Sequence, residues 1–531
     1  MDGLDVGDRD RMAVGAASAP GRRGLIDASV ASGDTRGDWR AAIVVCLGAG
    51  ALRLIIAATT PLFPDETYYW EWSRHLAPGY FDHPPMVALV TALGRVFFGD
   101  TALGVRFGSV CMGIVASIVL VASTRRLAGD SAALLAAIAF AVMPLAAAGL
   151  VLATPDAPLF AAAATMWYAL IRALETLPRT RTSLGWWCAA GVALGVAFAS
   201  KYTAVLLPLG VLIACVAHAP LRPRLREPGP YLAVALAVLV FAPVLVWNAR
   251  HDWLSLAFQL GHGLSRSSGS VIGRELEMIG GQVGLVSPVL FFLCATAVWR
   301  SLRARAGETR AVLTLLAVAS VVVFAFFMYS ATKRRVEANW PALAYLPALL
   351  LLSVAAKDSW RVSRSMRIGL ALAALLSLAT YVNAYVPVLP VPARRDPAAR
   401  AAGWDALADA VTRATSADSA RVHIAADRYQ DASEMAFHLP GHPRAYSLNM
   451  GGRRNQYDLW PSFQQTARAG DDLVLVLDDT PQPPAQIAAL TPHFSAVLRG
   501  DSARLERGGD LVKQFRLWRL RAWRGTWPGA E

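Results

Sequence analysis

Between residues 41 and 386 the chain alternates long apolar runs with short polar or charged breaks. A run of roughly 20 residues is what an α-helix needs to cross a hydrocarbon core. The pattern predicts membrane helices near 41–60, 104–124, 131–150, 157–174, 185–200, 203–219, 230–247, 282–299, 311–329, 341–356 and 368–386. The run "PPMVALVTALGRVFFG" is shorter and is broken by Arg95, which predicts a helix lying in the outer interface. After about residue 390 the pattern changes. "RVHIAAD", "RAYSLN" and "DDLVLVLDD" read as strands, "QDASEMAFHL" and "PPAQIAALTPHF" as helices, and "DLVKQFRLWRLRAW" as a last alternating strand. The fold class expected is a polytopic α-helical membrane protein of about 11 transmembrane helices with a C-terminal soluble α/β domain. Its expected divisions are a disordered cytoplasmic tail over 1–40, a membrane domain over 41–389 with outer loops at 61–103, 248–281 and 330–340, and a soluble domain over 390–531.

Composition agrees with a membrane protein. Of 531 residues 55% are hydrophobic and 17% charged, against about 25% charged in soluble domains. The net charge of +13 does not point to nucleic acid, because the basic residues fall in short clusters between apolar runs. Arg125 and Arg126, Arg179 and Arg181, the arginines at 222, 224 and 226, those at 300, 303, 305 and 310, and Lys357 with Arg361, Arg364 and Arg367 all fall on one side. The positive-inside rule makes that side cytoplasmic. The amino terminus is then expected to be cytoplasmic and the C-terminal domain to lie in the periplasm or its equivalent; the localisation expected is a bacterial inner membrane. The polar first 40 residues are too long for the charged start of a signal peptide, so the first apolar run is expected to be retained. All five cysteines lie in apolar runs, which leaves disulfides no part in the design.

Candidate chemistry gathers on the outer side. "PDETYYWEWSRHLAPGYFDHPP" places Asp65 and Glu66 where the first helix emerges, among the rings of "TYYWEW", including Tyr68 and Tyr69. Rings at the membrane interface would wall off a carboxylate and raise its pKa, which suits a base; a solvated loop carboxylate is the plainer alternative. Asp82 and His83 precede a double proline, where Asp82 either serves the site or caps the next helix. For a divalent ion the sequence offers Asp82 and His83, and one His beside one Asp is a poor ligand set, so no cofactor is assigned. Asp156 is the sole charge in the outer turn "ATPDAP". A carboxylate so near hydrocarbon usually has a partner or a task, and with Asp65 it is expected to converge on one pocket. Turn chemistry alone also explains a Pro-Asp pair.

Cations on the outer side run against the topology rule. Lys201, between two helices, suits a lipid phosphate or simply snorkels. "WNARHDWLSLAFQLGHG" brings Arg250, His251 and His262, and "ATKRRVEANWP" brings Lys333, Arg334 and Arg335 with Glu337, an anion site or a set of solvated and paired charges.

These residues carry a resemblance. "PDETYYWEWSRHLAPGYFDHPPMVALVTALGRVFFGDTALGVR", "TPDAPL", "SKYTA", "WNARHDWLSLAFQ" and "VEANWPA", spread over roughly residues 45 to 350, resemble the GT-C membrane glycosyltransferases of glycosyltransferase family 39. That group holds the protein O-mannosyltransferases and the lipid A aminoarabinose transferases. The resemblance implies transfer of a sugar, with inversion, from a polyprenyl-phosphate donor to an acceptor on the outer side, the acceptor being a lipid or envelope glycan. It implies Asp65 as catalytic acid/base or acceptor-orienting carboxylate with Glu66 beside it, Asp156 as the second acidic turn, and Lys201 as the following lysine. Asp82 and His83 stand where aminoarabinose transferases of this type carry an acidic residue and a lysine, so His83 is a departure. The rival activities are a protein O-mannosyltransferase and, from another class, a transporter or flippase for a lipid-linked sugar. In the tail, "GGRRNQYDLW" offers Arg453, Arg454, Tyr457 and Trp460 to a glycan or anionic lipid, or packs as an ordinary loop on the membrane domain.

Overall fold

The computed structural model describes residues 35–264, 269–304, 308–415 and 421–528. The tail expected over 1–40 lies outside the described residues as far as residue 34, as does Arg305; so do the side chains of His262 and Arg310.

Helix α1 (Thr35–Thr59) ends before Pro61. The stretch after it, expected as a loop, is instead helical: α2 (Pro64–Arg74) has Pro64 in its first turn beside Asp65 and Glu66, a start that suits both the fixed φ of proline and the helix dipole. Then come α3 (Met86–Phe98), α4 (Ala102–Ala128), α5 (Asp130–Val142) and α6 (Pro144–Gly149). Pro144 breaks the expected 131–150 helix into the last two. α7 (Asp156–Glu175), α8 (Arg181–Ser200), α9 (Leu206–Ala217), α10 (Pro228–Arg250), α11 (Leu254–Leu264), α12 (Val271–Val286), α13 (Pro288–Arg303), α14 (Glu308–Lys333), α15 (Tyr345–Ala356) and α16 (Arg364–Tyr385) complete the helical part. Among the described residues seven helices are long and apolar enough to cross a membrane, or up to nine if each bent pair is one span. One bent pair is α12 with α13, which turn by 101° at Ser287, a non-glycine residue with φ of 78°, just before Pro288. The expected crossings near 131–150 and 341–356 are built from shorter apolar helices.

Helix α3 forms where an interfacial helix was expected and packs on α4 and α2. Two glycines allow its close approach to α4: a Cβ on Gly94 would stand 2.2 Å from the Gly104 carbonyl oxygen, and one on Gly108 2.1 Å from that of Val90. Leu89, Leu93, Val96 and Phe97 remain exposed on its other face, a stripe suited to hydrocarbon.

The C-terminal part is an α/β unit. Helix α17 (Trp404–Thr415) leads to β1 (Val422–Ala426), α18 (Tyr429–His438), β2 (Ala445–Ser447), β3 (Asp472–Asp478), β4 (Phe494–Arg507) and β5 (Asp510–Trp523). The sheet order is β2-β1-β3-β5-β4. β1 runs parallel to β2 and β3, and β5 antiparallel to β3 and β4. Helix α17 and strand β4 carry no counterpart in the sequence reading. One apolar core joins this unit to the first outer segment, with Tyr68, Trp70 and Trp72 of α2 packed alongside Trp404, Met435, Tyr457 and Phe515. The rings of "TYYWEW" therefore do not line a membrane interface: Trp70 and Trp72 are fully buried under the C-terminal unit, because α18 lies directly on α2.

Candidate functional site

The outer site is built around a buried ion pair. Arg106, near the start of α4, donates from Nε to Glu66 Oε1 at 2.8 Å and from Nη2 to Glu66 Oε2 at 2.6 Å. Its other N–H groups satisfy the Thr60 and Pro61 carbonyls at the end of α1, each at 2.8 Å. Glu66 also accepts from the Phe63 N–H and, at 2.8 Å, from that of Ala153, in the turn before α7. The two side chains are 0% and 1% exposed. Glu66 thus does not face substrate space, as its place beside Asp65 had led one to expect. It ties α1, α2, α4 and the Asp156 turn together, and it is Asp65, one residue earlier on α2, that is left to face outward.

Three aspartates, Asp65, Asp82 and Asp156, lie within electrostatic reach of the phenol of Tyr69. Each has one cation. Lys201 Nζ, just past the end of α8, donates to Asp156 Oδ1 at 2.7 Å, and Asn339 Nδ2 to Asp156 Oδ2 at 2.6 Å. Arg453 Nη1 donates to Asp82 Oδ1 at 2.7 Å, and its Nη2 to the Tyr429 hydroxyl at 2.9 Å. Arg400 stands 3.8 Å from Asp65. A crevice of about 130 Å³ opens beside Asp156 and Asn339, walled by Leu145, Leu150, Leu152, Phe160 and Ala342.

Asp65 keeps 46% of its side-chain surface open although much protein lies around it. Burial lifts its carboxyl above the ordinary carboxylate range; Arg400 and Arg453 pull it back, while Asp82 and Glu66 push it further up. Burial also raises Asp82, against the pull of Arg453 and Tyr68. The Tyr68 hydroxyl donates to Asp82 Oδ2 at 2.8 Å and accepts from the Gln456 N–H at 2.7 Å. Gln456 Oε1 in turn accepts from the Phe81 N–H at 2.8 Å, so the segment 453–456 clasps the Asp82 turn. Asp82 caps no helix: α3 starts at Met86 with no side-chain cap, and both carboxylate oxygens are engaged above it. That engagement does not fit a metal centre, and no group of three or more His, Cys, Asp or Glu side chains among the described residues is arranged to hold one.

The remaining expected residues sit elsewhere. The His83 ring lies 6.2 Å from Tyr69. His251 stacks on Trp247 at 4.1 Å with Nδ1 against the Trp247 carbonyl, and Arg250 is exposed at the end of α10. Arg335 pairs with Glu277 at 2.7 Å, Arg334 lies near Glu337, and Lys333 lies over the Tyr329 ring. Neither His251 nor Arg335 has a bond to the three aspartates. Tyr457, offered as a glycan ligand, is buried and stacks on Tyr68. Arg400, Tyr429, Asn339 and Arg106 were not foreseen; Arg106 alone carried a readable signal, being the one charge within the apolar run 104–124.

Residues 82–247 match the family model described as dolichyl-phosphate-mannose-protein mannosyltransferase, a stretch that holds Asp82, Asp156 and Lys201. The chain is 27% identical over 343 residues, 64% of its own length and 70% of the relative's, to lipid A galacturonosyltransferase RgtD of Rhizobium johnstonii. Over 94 residues, 18% of each chain, it is 32% identical to lipopolysaccharide core galacturonosyltransferase RgtB of the same organism. Its fold is similar to that of ArnT from Cupriavidus metallidurans, solved in the apo state and bound to undecaprenyl phosphate. The TM-scores are 0.61 and 0.62 at 16% and 15% identity, covering 90% of this chain and 97% of those chains. Sequence kinship and helical architecture agree: the chain is a membrane glycosyltransferase, and its fold is of the GT-C type.

Proposed function

We propose that the protein moves a sugar from a polyprenyl-phosphate carrier to a lipid or envelope-glycan acceptor of the lipid A kind, on the periplasmic side of a bacterial inner membrane. The observation that carries this reading is Asp65, a carboxylate raised by its surroundings yet 46% exposed, with two further aspartates nearby that each hold a cation. The names of the relatives, two of them transferases of lipid A or lipopolysaccharide core, favour a lipid-borne acceptor over a secreted protein. The ArnT complex with undecaprenyl phosphate favours a polyprenyl carrier.

In this reading Asp65 accepts the proton of the acceptor hydroxyl as its oxygen attacks the anomeric carbon. The bond from that carbon to the carrier phosphate breaks on the opposite face, and the carrier leaves as the polyprenyl monophosphate with its electron pair, so the configuration inverts. Lys201 is held by Asp156, which lines the crevice, and from there it offsets charge developing on the leaving phosphate. Asp82, Tyr68 and Tyr69 shape the surroundings of Asp65. The amino terminus faces the cytoplasm, residues 41–389 form the catalytic membrane domain, and residues 390–531 lie in the periplasm.

Mass spectrometry of lipid and protein fractions from cells expressing the wild type or Asp156→Asn tests the proposal. A one-sugar mass gain on a lipid, present in the wild type and lost in the variant, is expected. Gain on protein alone would move the activity to protein O-glycosylation, and no gain on either would refute it.

A further inference from the structure

The site has two chemically distinct walls. On one, Lys201 and Asn339 meet Asp156 beside the apolar crevice, a setting for a hydrocarbon-borne phosphate. On the other, both cations come from beyond the membrane helices: Arg400 precedes α17, and Arg453 lies between β2 and β3. Arg453 is fixed. Its guanidinium bonds Asp82 and Tyr429 and lies 5.1 Å from the Phe258 ring centre and 5.0 Å from that of Tyr429, yet 43% of its side chain stays open. A guanidinium carries five N–H donors, so donors remain for a ligand.

Arg400 is held differently. At 3.8 Å from Asp65 it is beyond hydrogen-bond length, and 60% of its side chain is exposed, which makes the pair loose and easily exchanged. Two guanidiniums from separate chain segments, one beside Asp65 and one beside Asp82 and both within electrostatic reach of Asp65, suit a tetrahedral oxyanion, whose several oxygens take donors from different directions. A flat carboxylate offers one edge for bidentate pairing.

We propose that Arg400 and Arg453 form an anion subsite of the C-terminal unit that grips a phosphate carried by the acceptor, and that the phosphate draws Arg400 away from Asp65. The inference rests on the transferase reading for the identity of the acceptor. Without an acceptor phosphate Arg400 stands against one oxygen of Asp65. An acidic acceptor exchanges that contact for its own, leaving the Asp65 oxygen to the incoming hydroxyl, whereas a neutral acceptor leaves the loose pair in place. The C-terminal unit is then the part of the enzyme that selects the acceptor, and the Lys201 wall the part that holds the carrier.

The test measures equilibrium binding to the full-length protein in nanodiscs, without turnover. The ligands are bis-phosphorylated lipid A, the same lipid A after phosphatase treatment, and undecaprenyl monophosphate. The proteins are wild type, Arg400→Gln, Arg453→Lys, and Arg504→Gln as a control on an exposed arginine of β4. Wild type and the control should bind phosphorylated lipid A at least tenfold more tightly than the dephosphorylated form. Arg400→Gln, which has no hydrogen bond from its side chain to Asp65 to lose, should erase that preference, and Arg453→Lys should reduce it. Binding of undecaprenyl monophosphate should be unchanged in both. Equal preference in wild type and Arg400→Gln, or loss of undecaprenyl monophosphate binding in place of lipid A binding, overturns the proposal. A wild type that shows the preference but transfers no sugar would sink the transferase reading alone.

Discussion

Glu66→Gln separates an anchoring role from a reacting one. The wild-type carboxylate accepts two N–H groups from Arg106, one from Phe63 and one from Ala153, and neither Glu66 nor Arg106 reaches water. Glutamine keeps the shape but removes the charge and turns one acceptor into a donor that faces donors. Removing one partner of a buried pair leaves the other uncompensated, at about 3–5 kcal/mol. The structure puts this pair at the upper part of that range, because Arg106 has only neutral carbonyls and a hydroxyl left to share its charge. The assay is thermal unfolding of the purified protein, run as a double-mutant cycle with Arg106→Gln. The expected result is a large drop in melting temperature for either single variant and a smaller one than their sum for the double, since the double leaves no lone charge. A Glu66→Gln protein that melts like wild type but has lost sugar transfer would refute the anchoring argument and make Glu66 a reacting group.

Further outcomes follow from the same geometry. Asp65 must be ionised to take a proton, and burial raises its pKa above the ordinary aspartate value of 3.8. The rate should therefore fall as pH drops, with a midpoint above 3.8 in a pH profile of kcat/KM; a rate independent of pH across the acid range would count against Asp65 as base. Gly108→Val places a side chain against the Val90 carbonyl and should cost about 1–3 kcal/mol by overpacking. Gly185→Ala, which meets nothing within 4 Å, should leave melting unchanged, and thermal scans of both variants check the contrast. Glu434, fully buried beside His438, is pushed by burial from 4.5 up to about 7. A folded pKa above the unfolded one means that stability is fully present below about pH 4.5 and is lost as pH rises through about 7. Glu434→Gln should flatten that slope in denaturant titrations from pH 4 to 8.

The membrane helices were legible because an apolar run of spanning length has one economical fate in lipid. The runs at 104–124, 157–174 and 230–247 reappear as α4, α7 and α10. The interruption of the 131–150 run at Pro144 was signalled by the proline itself. The alternation of "DDLVLVLDD" and "DLVKQFRLWRLRAW" became β3 and β5, while the less apolar β4 and the short helix α17 passed unread. Asp65, Asp82, Asp156 and Lys201 were visible as charges at the outer ends of apolar segments. Their partners were not, because Arg453 meets Asp82 across 371 residues and Asn339 meets Asp156 across 183, and periodicity carries no record of such contacts. The rings of α2 misled for the same reason: their composition fits a membrane interface equally well until α18 is placed over them. Arg53 and Arg106, both buried within long apolar helices, were not singled out, although a charge inside an apolar run is a signal that can be read. Arg106 proved to hold the site together.

The account depends most on Asp65 as the group that receives the acceptor proton. The direct measurement is transfer of radiolabelled sugar from polyprenyl phosphate to extracted lipid by purified wild-type protein and Asp65→Asn, with melting temperature recorded for both. The account predicts label in lipid for the wild type, a loss of about 10²–10⁴-fold in the variant, and equal melting. Transfer by Asp65→Asn at the wild-type rate would contradict it.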